Sequence, residues 1–106
     1  MSHHHQQPND PTVNALVQAI NDGDRPGFYD LLAPDAVLTD DGIERDVKDW
    51  VDKEIFNVGG RFDIQRTEPD GSMLVRFTNG RWGEMDTRWR FITRDGKVDR
   101  IETGQA

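Results

Sequence analysis

Residues 21–42 read Asn21-Asp22-Gly23-Asp24-Arg25-Pro26-Gly27-Phe28-Tyr29-Asp30-Leu31-Leu32-Ala33-Pro34-Asp35-Ala36-Val37-Leu38-Thr39-Asp40-Asp41-Gly42. One helix ends on Gly23, a residue type suited to the left-handed position that closes a helix. A second helix starts on the Asp24 cap, carries Phe28, Leu31 and Leu32 as its buried stripe, and stops before Pro34. A strand from Ala36 to Asp40 follows at once and delivers a carboxylate at its far end. Asp41-Gly42 then forms a tight turn into a short return strand, Ile43 to Arg45.

Upstream, Asp10 caps a helix with Pro11 in its first turn, where the missing N–H costs nothing. Val13, Leu16, Val17 and Ile20 repeat along it as one apolar face. Downstream, Asp46 caps a third helix in which Val47, Trp50, Val51 and Ile55 share a face, and Gly59-Gly60 breaks the chain. Four strands follow, at about Phe62 to Thr67, Met73 to Arg81, Met85 to Thr93 and Lys97 to Thr103.

The central hairpin has two candidate turns. Asn79-Gly80 is the stronger local signal, but it sets Val75 against Glu84 and Met73 against Asp86. A turn centred on Gly83 sets Phe77 opposite Trp89 and Val75 opposite Phe91, giving one continuous apolar face, and is the register expected here. It turns Asn79, Arg81 and Thr87 toward the helices with the apolar residues. It also sets Arg76 opposite Arg90 on the outer face, an unfavourable pair unless carboxylates intervene.

The chain has 106 residues and a net charge of −7, without cysteine. That length suits one domain, residues 11–106, after a polar lead-in over residues 1–10. Lacking cysteine, the chain has no disulfide, thiol nucleophile or thiolate metal site. Its only histidines, His3, His4 and His5, lie in the lead-in, where the bland reading is a purification remnant or a solvated tract. No metal or other cofactor is expected. The acidic balance disfavours nucleic acid, and no apolar run reaches membrane-spanning length. A cytoplasmic location is expected.

The helix–helix–strand opening, with the strand pattern from Arg90-Phe91 through Ile101, resembles the nuclear transport factor 2-like superfamily. That superfamily includes the ketosteroid isomerases and SnoaL-like polyketide cyclases. The resemblance implies an α+β fold: three helices packed on a strongly curved, mainly antiparallel sheet that forms a cone. It also implies a homodimer through the outer sheet face and a small, mostly apolar ligand in the cone. From Val17 to Asp40 the match to the isomerases is ungapped, and it sets Asp40 on their general base. Leu16 stands where they carry a tyrosine, and Thr87 or Arg88 where they carry a protonated aspartic acid, so their oxyanion hole is absent.

Asp40 is therefore the candidate catalytic residue, as a base in an apolar enclosure. Asp40-Asp41-Gly42 is also ordinary turn chemistry. Trp50, Phe77, Trp82 and Trp89 are candidate ligand-lining residues, with Met85, and Tyr29, Asn79, Arg81 and Thr87 are the polar candidates. Trp89 on an apolar strand face also fits plain core. Two functions stay open: an acid–base isomerase, cyclase or dehydratase acting on a small apolar carbonyl compound, or a non-catalytic dimeric binding module.

Overall fold

A computed structural model describes residues 10–106; the expected lead-in, with His3, His4 and His5, lies outside them up to residue 9. The elements are α1 (Pro11–Asp22), α2 (Arg25–Asp30), β1 (Leu32–Asp40), β2 (Ile43–Arg45), α3 (Val47–Val51), a π-helical continuation (Asp52–Phe56), β3 (Arg61–Thr67), β4 (Met73–Asn79), β5 (Gly83–Arg94) and β6 (Lys97–Gln105). The six strands form one sheet in the order β2-β1-β6-β5-β4-β3. Every pairing is antiparallel except β1 with β6. The α+β expectation therefore holds, with a mixed sheet. Among the described residues no helix is long and apolar enough to cross a membrane.

Capping residues set the helices. Asp10 accepts from the Thr12 N–H at 2.8 Å, Asp24 from Gly27 at 3.0 Å and Asp46 from Asp49 at 2.9 Å, each satisfying an orphan donor. Val13, Leu16, Val17 and Ile20 are all buried, as their spacing requires. Asn21 ties α1 to β3 with two bonds: it accepts from the Phe62 N–H at 2.7 Å and donates to the Phe62 carbonyl at 3.1 Å. These side chains pack against an inner sheet face that includes Val75, Phe77, Trp89, Phe91 and Ile101.

The opening departs from expectation at the second helix. It ends at Asp30, so Leu31 and Leu32 are not part of its stripe; Phe28 alone is buried there. The last strand claims the following residues. Val98 donates its N–H to the Leu31 carbonyl at 2.8 Å, and Leu32 already pairs in parallel with Val98. Pro34 does not halt a helix; it lies where the β1–β6 register shifts, between Leu32 and Val37. There a missing N–H removes no regular ladder bond.

The central hairpin is corrected too. Asn79 pairs with Gly83, Phe77 with Met85, Val75 with Thr87 and Met73 with Trp89, so neither expected register forms. Gly80-Arg81-Trp82 is a three-residue loop, and β4 ends at Asn79 rather than Arg81. The Asn79 side-chain oxygen Oδ1 accepts from the N–H groups of Arg81 at 3.0 Å and Trp82 at 2.7 Å. Gly83 closes the loop at φ 76°, the left-handed position such hairpins need. The shift leaves every side chain on its expected face but changes its partner. Arg76 now meets Asp86 at 3.3 Å, and Arg90 meets Glu102 at 3.7 Å, which removes the Arg76–Arg90 conflict.

One polar cluster pins α2 to α3 and gives the fold an acid-sensitive point. Asp52 takes the Tyr29 hydroxyl proton in a 2.9 Å bond and faces Lys48 at 3.3 Å and Arg25 at 3.4 Å. Burial alone would raise its pKa, but the Tyr29 hydrogen bond and the two cations hold it below the ordinary 3.8. Folded Asp52 thus binds its proton more weakly than the unfolded chain does. Its contribution is complete above pH 3.8 and is lost as pH falls through the lower folded value. Asp52→Asn is expected to lower Tm at pH 7, with the gap from the parent closing as the pH falls below 3.8 in thermal scans. A gap independent of pH would refute the assignment.

Candidate functional site

A cavity of about 280 Å³ opens where the β1–β2 turn, the β4–β5 loop and the end of β6 approach α3. That volume is near the lower end, about 300 Å³, of typical small-molecule sites. Asp40 reaches it because it alternates in phase with buried Leu38 along β1 and pairs with Thr103 of β6. Trp50 reaches it from α3, and Phe77, Met85, Thr87 and Trp89 come from the inner faces of β4 and β5. Trp82 comes from the loop and stays 57% exposed, so it forms rim rather than floor.

All three tryptophans of the chain line this cavity. Trp50 packs edge-on to Trp89 with ring centroids 5.9 Å apart, and Phe77 lies 5.9 Å from Trp89. Each indole N–H is already spent on the protein. Trp50 donates to Asp40 Oδ2 at 3.2 Å, Trp82 to Glu54 Oε1 at 3.3 Å and Trp89 to Thr87 Oγ1 at 2.9 Å. The Thr87 hydroxyl in turn donates to the Val75 carbonyl at 2.8 Å. The three indole N–H groups and the Thr87 hydroxyl are therefore committed to protein acceptors, and Asp40 and Glu54 add carboxylate oxygens to the wall.

Asp40, Trp50, Phe77, Trp82, Thr87 and Trp89 come together as wall residues. Three of the polar candidates do not. Asn79 is buried and committed to the hairpin loop, and its amide donates to the Glu54 carbonyl at 3.1 Å. Arg81 sits in that loop, paired with Glu54 at 3.4 Å and stacked over Trp82 at 4.8 Å. Tyr29 lies in a separate groove with Leu32, Pro34, Val47 and Lys48. Burial and the hydrogen bond to Asp52 raise its pKa.

Three charged wall residues escaped the sequence reading: Asp41, Arg45 and Glu54. Arg45 shares a face of β2 with Ile43 and lies on the cavity side, because it pairs with Leu38. Among the described residues it has no carboxylate partner. Glu54 lies one helical turn beyond Trp50, and that i,i+4 spacing was the available signal. Asp41 holds φ 51° and accepts from the Gln105 N–H at 3.2 Å. Gly104 permits this approach, since a Cβ there would collide with the Asp41 carboxylate. Among the described residues no group of acidic or histidine side chains is arranged to hold a metal ion.

By sequence, no protein family matches the chain and no curated protein does. By structure, it is similar to an NTF2-like protein of unknown function from Cytophaga hutchinsonii, with a TM-score of 0.73, 10% identity, and 92% of this chain and 90% of that one covered. The fold is NTF2-like. A polyketide cyclase, described as putative, from Sinorhizobium meliloti superposes with a TM-score of 0.71 at 20% identity, covering 87% of this chain and 92% of that one. A Δ5-3-ketosteroid isomerase from Mycobacterium sp. gives 0.72 at 16% identity, covering 87% and 88%. The NTF2-like fold is thus shared with cyclases, isomerases and proteins of unknown function, and it hosts different chemistries on one scaffold.

Proposed function

We propose that this NTF2-like chain binds a small, largely apolar molecule in the cavity walled by Trp50, Trp82 and Trp89, with Asp40 as its polar anchor. One observation carries the reading. Asp40 lines an aromatic cavity and has Oδ2 engaged by Trp50, while no bond to Oδ1 is made among the described residues. Aromatic walls around a few placed polar groups are the usual composition of small-molecule sites. Titration of the tryptophan fluorescence with a panel of small cyclic ketones, amines and alcohols tests it. A saturable change in the parent, weakened in Asp40→Asn, is expected; a flat response across the panel refutes the reading.

In its finer form the ligand is an apolar carbonyl compound and Asp40 is the base. Asp40 takes a proton from the carbon beside the carbonyl, the C–H pair forms a carbon–carbon double bond as the carbonyl π pair moves onto oxygen, and the proton then returns to carbon as the carbonyl re-forms. Arg45, on the same wall and without a carboxylate partner among the described residues, is the cation available to the enolate oxygen. The similarity to a ketosteroid isomerase and a polyketide cyclase supports this form. The competing form is a binding module without catalysis, favoured by the commitment of all three indole N–H groups to the protein.

Either form includes a homodimer through the outer sheet face. Sedimentation velocity at micromolar concentration is expected to give the mass of two chains; a single-chain mass at every concentration refutes it.

A further inference from the structure

We infer that the cavity selects an organic cation, an ammonium group on an apolar body, over neutral and anionic molecules of the same shape. The inference rests on the binding reading above and is independent of whether Asp40 catalyses anything.

Hydrogen-bond supply and demand at the wall carries the argument. The indole N–H groups of Trp50, Trp82 and Trp89 and the Thr87 hydroxyl all donate to protein acceptors. Asp40 and Asp41 each have only one carboxylate oxygen engaged by a side-chain or main-chain donor among the described residues. Glu54 adds a third carboxylate, shared with Arg81 and Trp82. Set against them on the wall is one cationic side chain, Arg45. A ligand rich in acceptors meets few donors here, whereas a ligand that brings donors or positive charge meets three carboxylates.

The aromatic faces point the same way. Trp50, Trp89 and Phe77 line the cavity as a cluster of packed rings, and the two indole N–H groups among them are held by protein acceptors. The negative face of an aromatic ring attracts a cation, and Trp does so best. Arg81 already uses Trp82 in this way, 4.8 Å from its ring. The chain's net charge of −7 adds a long-range field that draws cations in and turns anions away.

Benzyltrimethylammonium, its neutral isostere neopentylbenzene and the anion phenylacetate form a set of similar apolar bodies that isolates charge. Titrated at low salt with tryptophan fluorescence as readout, the ammonium is expected to bind at least about tenfold tighter than the isostere. Phenylacetate is expected to bind weakest. The advantage of the ammonium should shrink as salt screens the partly exposed carboxylates, and should fall separately in Asp40→Asn and Glu54→Gln. Equal binding of the isostere, or tighter binding of phenylacetate, overturns the inference and leaves the binding reading standing. No response to any of the three compounds, or to the wider panel, overturns both.

Discussion

Trp89→Ala is expected to remove about 3–5 kcal/mol of stability, the cost typical of truncating a buried aromatic. Trp89 is 2% exposed and sits at the junction of core and cavity. Its ring lies 4.6 Å from Phe62, 5.8 Å from Phe91 and 5.9 Å from each of Phe77 and Trp50. Truncation leaves four aromatic neighbours with a void that their strands and helix cannot close, and it leaves the Thr87 oxygen without its indole donor. Against a typical domain stability of about 5–15 kcal/mol, the loss is a large fraction. Urea unfolding measures it, and Trp89→Phe separates its parts. That variant keeps most of the packing and loses the N–H, so its expected cost is about 1–2 kcal/mol. A Trp89→Ala protein within 1 kcal/mol of the parent, a margin well below the typical truncation cost of about 3 kcal/mol, would mean that Trp89 is cavity wall alone.

Asp40→Asn is the second large effect, and it separates the two forms of the proposed function. If Asp40 is a carbon base, the parent accelerates exchange of the α-protons of a small unsaturated cyclic ketone in heavy water, followed by proton NMR. Replacing the carboxylate by an amide is then expected to slow that exchange by about 10²–10⁴-fold, the usual contribution of a positioned base. The amide oxygen can still accept from the Trp50 indole, so the fold and the cavity persist. Asp40→Glu should recover part of the rate. A parent protein no faster than buffer sinks the catalytic form and leaves ligand binding in place.

The parts of this fold legible in the sequence are those decided within one turn of chain. Asp10, Asp24 and Asp46 cap helices, and the α1 stripe is buried as its period demands. What failed was decided by partners distant in sequence. Leu31 and Leu32 have helical spacing with Phe28, but β6 recruits them. The hairpin register turned on one side chain, Asn79, whose oxygen bridges two loop N–H groups, a preference that apolar pairing does not reveal. At the site, alternation on β4–β5 accounts for Phe77, Thr87 and Trp89, the helical stripe for Trp50, and the resemblance to the isomerases for Asp40. Glu54 was missed although its i,i+4 spacing from Trp50 was there to be read, and Arg45 because three residues of β2 are too few to show a pattern.

The parallel pairing of β1 with β6 makes the cavity a late product of synthesis. Asp40 and Asp41 leave the ribosome early, yet the wall that fixes them, Thr103 to Gln105, is made more than sixty residues afterwards. Joining segments so far apart carries a loop-closure cost that local helices do not. A nascent chain halted before Lys97 lacks the strand that joins β1 to β5, and with it the Thr103 to Gln105 part of the cavity wall. For this protein, the cavity wall is complete only once the last strand is in place.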